Sequence, residues 1–366
     1  MLLLNQLNFV FSEKGADMKR RIIRLSAAVL ALVMVLSLFG CSKSEPEPET
    51  TTEATTKYIP PTNILTGEEI SESAKGERPV AIVVENHPDA RPQWGIGSAD
   101  IVCEGEVEGG ISRMLWVYSD MSKLPEKIGP LRSARPSFVE FSSFFDSVFI
   151  HWGGSHSKGN YTGGYETISN MNIDDIDGMS GGALFSRDKT RKVSSEHTGV
   201  MNTAELSKTI ESKGYRSTVD ENNVVKFNFN ESITSPGENA ALGVKVKFSS
   251  RTDTRAFTFN TEDKLYHTSD WKSDTAFRNL ILLKAESTYI TTPYNNSTTT
   301  YLNYSWTSGT GVYVSNGTYT DISWSVDNGV LNIKDAQGNP LTLNVGQSYI
   351  GFVSSNHEGA VTCTAE

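Results

Sequence analysis

Arg132, Arg135, His151 and His156, with Gly153-Gly154 between the two histidines, all fall in the stretch 128–157. Residues of these types together suit anion capture. Guanidinium groups meet carboxylate or phosphate oxygens through paired donors, and glycines let backbone approach a bound group closely. A second set suits proton transfer: Glu104 and Glu108 are four apart, which on a helix places both carboxylates on one face. With His151 and His197 they would supply acid–base groups or metal ligands. Both sets also admit a structural reading, in which the arginines pair with abundant acidic residues, the histidines end a strand and the two glutamates lie on a solvated face.

The elements that must position these groups are legible nearby. Phe138, Phe141 and Phe145 fall at helical spacing, Pro136 suits a first helical position, and Asp146-Ser147 interrupts the pattern before Val148-Phe149-Ile150. This predicts helix, turn and strand, each roughly 15 Å long at the usual rises per residue. A strand packed back antiparallel to the helix brings Arg132 and Arg135 towards His151 and His156. The helix start adds the positive end of its dipole.

Upstream, the run at 80–84 (VAIVV) reads as a buried strand ending in Glu85-Asn86-His87-Pro88, and 111–119 as a second core strand. Downstream, 158–193 is rich in Gly, Asn and Asp and predicts surface loops. Asp174, Asp175 and Asp177 before Gly178 lack the alternation and terminal Glu of a calcium loop, so an acidic turn is expected. Ser195-Glu196-His197-Thr198 precedes a helix capped at Asn202-Thr203, striped by Leu206 and Ile210, and closed by Lys213-Gly214. His151, His156 and His197 are enough in number for zinc, but their spacings match no zinc motif and HExxH is absent. No metal or cofactor is expected. Ser155 follows a strand without the G-x-S-x-G elbow of a serine hydrolase.

From about residue 228 the pattern changes to period two, as in Val244, Val246 and Phe248, with Asn316-Gly317 and Asn328-Gly329 as hairpin turns. The expected fold class is α+β. An N-terminal α/β domain with a mixed sheet at 77–227 precedes a mainly antiparallel β domain at 228–366.

A chain of 366 residues, 37% hydrophobic and 21% charged, can bury a sizeable core. Its net charge is −10, and residues 1–41 carry five basic against two acidic side chains, leaving the remainder near −13. That balance argues against general nucleic-acid binding. Met18 opens a basic then apolar segment ending Leu38-Phe39-Gly40-Cys41, the pattern of a signal peptide with a lipobox. Cys41 would be the lipidated mature N-terminus, Met18 the true start, and everything beyond Cys41 extracytoplasmic. Residues 42–76, rich in Glu, Pro, Thr and Ser, read as a disordered tether. Cys103 and Cys363 are too few for a disulfide scaffold.

Several blocks resemble those of the YerB-like lipoprotein family. They are Asn86-His87, Arg91-Pro92-Gln93, Glu108-Gly109-Gly110-Ile111-Ser112-Arg113, Gly129-Pro130-Leu131-Arg132-Ser133-Ala134-Arg135-Pro136 and His151-Trp152-Gly153-Gly154-Ser155. The resemblance implies paired N- and C-terminal domains of unknown function and a lipid anchor, and it brings no catalytic residues. The leading expectation is therefore a membrane-anchored protein binding an anionic envelope ligand or partner through Asn86, Arg113, Arg132, Arg135, His151, Gly153, Gly154 and His156. One alternative is an envelope hydrolase using Glu104, Glu108, His151 and His197. Another is a scaffold acting only through protein contacts.

Overall fold

An apolar run without polar alternation needs cover on both of its faces. Val80–Glu85 (β1), buried along its whole length, has that cover. In chain order there follow Ile101–Glu106 (β2), Ser112–Tyr118 (β3), the helix Pro136–Ser143 (α1), Val148–His151 (β4), the helix Gly164–Met171 (α2), Asp175–Asp177 (β5) and the helix Leu206–Ser212 (α3). The second half contributes Asn279–Ala285 (β6), Ser308–Ser315 (β7), Thr318–Asp327 (β8) and Ser348–Ser354 (β9). The computed structural model describes residues 59–366. The expected signal peptide, Cys41 and the first part of the tether lie outside the described residues.

These strands form one mixed sheet in the order β8-β7-β6-β9-β2-β3-β1-β4-β5. Pairing is parallel at β6/β9, β9/β2, β1/β4 and β4/β5, and antiparallel at β7/β8, β6/β7, β2/β3 and β1/β3. The expected division at 227/228 therefore does not separate two sheets. β9, from the end of the chain, lies between β2 and β6, and Gly105 of β2 faces Phe352 so closely that an added Cβ would stand 2.8 Å or less from that side chain.

On one face α1 supplies Phe138 and Phe141 and the turn after it Phe145, all 0% exposed, against Ala81, Val83, Phe149 and Phe352. Each such side chain contributes about 1.5–3 kcal/mol on burial. The other face is covered by α3 and by a second, antiparallel sheet of Gly243–Lys247, Thr254–Asn260, Leu265–Thr268, Thr275–Phe277 and Ala360–Thr364. Its alternating Val244, Val246 and Phe257 pack with Leu280, Leu282 and Tyr349. Both expected hairpin turns form, with positive φ at Asn316, Gly317, Asn328 and Gly329 as a two-residue primed turn requires. Among the described residues no helix is long and apolar enough to cross a membrane.

Three expectations require correction. Glu104 lies inside β2 and Glu108 in the short turn Glu108–Gly110, so the two share no helix face. The stretch 158–193 is not merely loop. It holds α2, stopped by Asn172 in the left-handed conformation, together with β5 and the short strand Phe185–Arg187. Residues 59–76 are not tether: Leu65 is fully buried in the core, and Asn63 donates from Nδ2 to Asp100 Oδ2 at 3.1 Å. Polar composition concealed this segment because few side chains carry its docking.

Candidate functional site

Because β1, β4 and β5 run parallel, their C-terminal ends emerge at one edge of the sheet, where open α/β sheets present ligand sites. That edge receives Glu85 to His87, His151 to Gly154 and Asp177 to Met179. The segment leading into α1 is stitched between them: Arg132 N donates to Val83 O at 3.0 Å, Trp152 N to Arg132 O at 3.0 Å, and Ala134 N to Gly153 O at 2.8 Å. The helix start and the end of β4 therefore meet, as their matched lengths predict.

A cleft of about 380 Å³ opens here, lined by Arg132, Trp152, Gly153, Gly154, His156, Tyr165, Met179, Arg187 and Glu196 among others. Gly153 adopts φ +78°, and its N–H donates to Asp177 Oδ1 at 2.7 Å. A Cβ on Gly154 would come within 2.9 Å of the Tyr165 ring. The glycine pair thus makes a close wall that no larger residue could form without moving Tyr165. Arg187 lies over the Trp152 ring at 4.2 Å, and the His156 side chain is 75% exposed with Nδ1 3.4 Å from Glu166 Oε1. Arg132 bridges two carboxylates. Its Nε is 2.9 Å from Glu85 Oε1 on the inner side, and its Nη2 donates to Glu196 Oε2 at 2.8 Å on the outer side.

The remaining expected residues lie beneath or beside this cleft. His151 is fully buried under Gly153, with Nδ1 2.7 Å from Gly153 O and Nε2 3.1 Å from Asp175 Oδ2. Arg113 is buried and donates to Ser133 O at 2.9 Å, and burial draws its guanidinium down to about 10. Arg135 grips Glu108, with Nε 2.7 Å from Oε2. Burial alone would raise the Glu108 carboxyl, but Arg113 and Arg135 hold it far below the usual range. Asn86 faces inward, donating to Glu104 Oε1 at 2.6 Å and Ser112 Oγ at 2.8 Å.

The four acid–base candidates do not come together. Glu104 accepts from Asn86, Ser112, Arg255 and Tyr349, and Glu108 is occupied by Arg135 and Arg113. His151 is bound to Asp175. His197, also buried, places Nδ1 3.0 Å from Glu85 Oε2. Sequence reasoning did not assign Arg187, Trp152, Tyr165, Met179 or Glu85 to the site. Glu85 and Trp152 stand inside blocks already singled out, so adjacency was an available signal. Arg187 carries none, because its approach depends on the pairing of Phe185–Arg187 with Gly199–Asn202.

A family model described as the N-terminal domain of a protein of unknown function (DUF3048) matches residues 65–216, and the corresponding C-terminal domain matches 244–350. A Bacillus subtilis (strain 168) protein described as "Putative lipoprotein YerB" is 32% identical over 242 residues, 66% of this chain and 66% of its own length, just under two thirds. The crystal structure of YerB protein from Bacillus subtilis matches with a TM-score of 0.66 and 26% identity, covering 82% of this chain and 99% of that one.

Proposed function

The chain belongs to the DUF3048 family, and from that premise we propose that it is a lipid-anchored extracytoplasmic protein that binds a small anionic envelope ligand in the cleft at the β1/β4 edge. The description of the Bacillus relative as a lipoprotein supports anchoring, as does the lipobox ending at Cys41. Two or three acyl chains on that cysteine hold a protein firmly at a membrane, at about 0.8 kcal/mol per buried CH₂. The one observation that carries the binding reading is the convergence of Arg132, Arg187 and His156 on a single glycine-walled cleft.

Its volume of about 380 Å³ lies in the range of small-ligand sites. Trp152 and Tyr165 supply flat apolar surface for a sugar or similar ring, while the arginines meet phosphate or carboxylate oxygens. Glu104, Glu108 and His151 are each held by structural partners and His197 is held by Glu85 at Nδ1, which favours binding over hydrolysis as the role of this edge.

The test uses the full chain purified in detergent, titrated with inorganic phosphate and with a soluble glycerol-phosphate oligomer, and followed by thermal denaturation and calorimetry. A ligand at one hundred times its dissociation constant adds about 2.7 kcal/mol of stability. Arg187→Gln alters an exposed residue and leaves the core intact, so it is the informative variant. Stabilisation in the wild type that is lost in Arg187→Gln and weakened by salt supports the proposal. Neither probe stabilising the wild type overturns it.

A further inference from the structure

We propose that His87, Asp89 and His197 form a binding site for one divalent transition-metal ion of the imidazole-preferring kind, such as zinc, nickel or cobalt. One ligand atom from each of the three lies within 4.8 Å of the other two. Imidazole with carboxylate is a donor set that suits these metals, whereas calcium and magnesium favour oxygens alone.

The hydrogen bond at His197 leaves its ring in the form a metal needs. Glu85 is buried, and its Oε2 sits 3.0 Å from His197 Nδ1. The carboxylate can only accept there, so Nδ1 holds the hydrogen and Nε2 keeps the lone pair that a metal would take. A histidine whose second nitrogen donates to a carboxylate is the usual orienting arrangement for a metal ligand. Arg132 in turn fixes Glu85 at 2.9 Å. At His87 the Asp89 backbone N–H donates to Nδ1 at 3.3 Å, so the lone pair on that nitrogen is engaged in a long hydrogen bond that a turn of the ring would exchange for a metal, and Asp89 Oδ2 is 3.7 Å away. Glu196 offers an oxygen 3.9 Å from His197 Nε2 as a further ligand.

The rings of His87 and His197 stack with centroids 4.7 Å apart and planes 7° from parallel. Ring lone pairs lie in the ring planes, so one ion cannot meet both nitrogens until a ring turns. His87 is the ring free to do so: its side chain is 36% exposed at the entrance of the turn Pro88–Ala90, while His197 is buried and pinned by Glu85. Asp89 is exposed as well and can close the remaining distance to a bond of about 2.0–2.2 Å. The site adjoins the anion cleft through Glu196 but stands on its own residues.

The test titrates the full chain, purified in detergent without a histidine tag and stripped with chelator, with zinc by calorimetry and with cobalt by visible absorption. His87→Ala changes a half-buried side chain and Asp89→Asn an exposed one, and unchanged melting temperatures in chelator confirm that both variants fold. The expected result is one ion per chain, low-coordinate cobalt absorption, and at least tenfold weaker zinc binding in each variant, with no response to magnesium. Wild-type protein that binds no stoichiometric zinc, or a His87→Ala variant that binds it as the wild type does, overturns the proposal. Either failure leaves the phosphate titration untouched, so the two readings are judged separately.

Discussion

Replacing Glu104 by Gln removes a charge and nothing else of size, and the structure gives the consequence. Glu104 is 0% exposed and accepts five hydrogen bonds: Asn86 Nδ2 at 2.6 Å, Ser112 Oγ at 2.6 Å, Arg255 Nε at 3.1 Å and Nη2 at 2.6 Å, and Tyr349 OH at 3.0 Å. Every partner is a donor. A glutamine turns one acceptor into a donor facing donors, and among the described residues it leaves Arg255, itself buried, with Asp270 at 3.1 Å as its ion-pair partner. Breaking a buried pair from one side costs about 3–5 kcal/mol. For a unit this long, at about 2 °C per kcal/mol, the melting temperature falls by roughly 6–10 °C. The assay is urea and thermal unfolding of the full chain in detergent, followed by tryptophan fluorescence and circular dichroism. Arg255→Met costs a similar amount, and Glu104→Gln combined with Arg255→Met costs less than the sum by about 2 kcal/mol, since both charges leave together. Glu104→Gln within about 0.5 kcal/mol of the wild type, or single costs that add within that margin, would refute the reasoning. A carboxylate kept for chemistry would instead be neutral or stabilising to replace.

Two further outcomes follow from the charges around α1 and the cleft. Burial pushes the Glu140 carboxyl up to about 7, against about 4.3 in an unfolded chain. The folded state therefore holds the proton more tightly, so this contribution to stability is present below about pH 4.3 and is lost as pH rises through 7. Glu140→Gln is expected to melt with the wild type at pH 4 and above it at pH 8.5, measured by thermal scans at the two pH values. Glu196→Gln frees the outer side of Arg132 and is expected to tighten phosphate binding several-fold in calorimetry. Unchanged affinity would mean that Arg132 does not meet the ligand.

Local pattern carried much of the fold. The phenylalanine spacing of α1, the unbroken apolar run of β1 and the two Asn-Gly turns each reflect a physical preference acting within a few residues. What escaped was long-range. Nothing near Glu104 in the chain signals Arg255 or Tyr349, so its paired spacing with Glu108 suggested a helix where a strand was waiting for a distant cation. Likewise β9 reads as an ordinary C-terminal strand, and only its pairing with β2 shows that the two halves share a sheet. The cleft was half legible. Arg132, Gly153, Gly154 and His156 follow from helix and strand lengths, whereas Arg187 and Glu196 arrive through strand and turn contacts that no spacing encodes.

The way Arg132 is held bears on how the cleft works. Its inner partner Glu85 is 2% exposed and also fixes His197, so that contact is a permanent part of the frame. Its outer partner Glu196 is 52% exposed, and an exposed ion pair is worth only about 0–1 kcal/mol. An entering anion therefore has to displace only the exposed contact, and the guanidinium it meets is already held by the buried ion pair. Preorganisation of this kind lowers the entropy lost on binding.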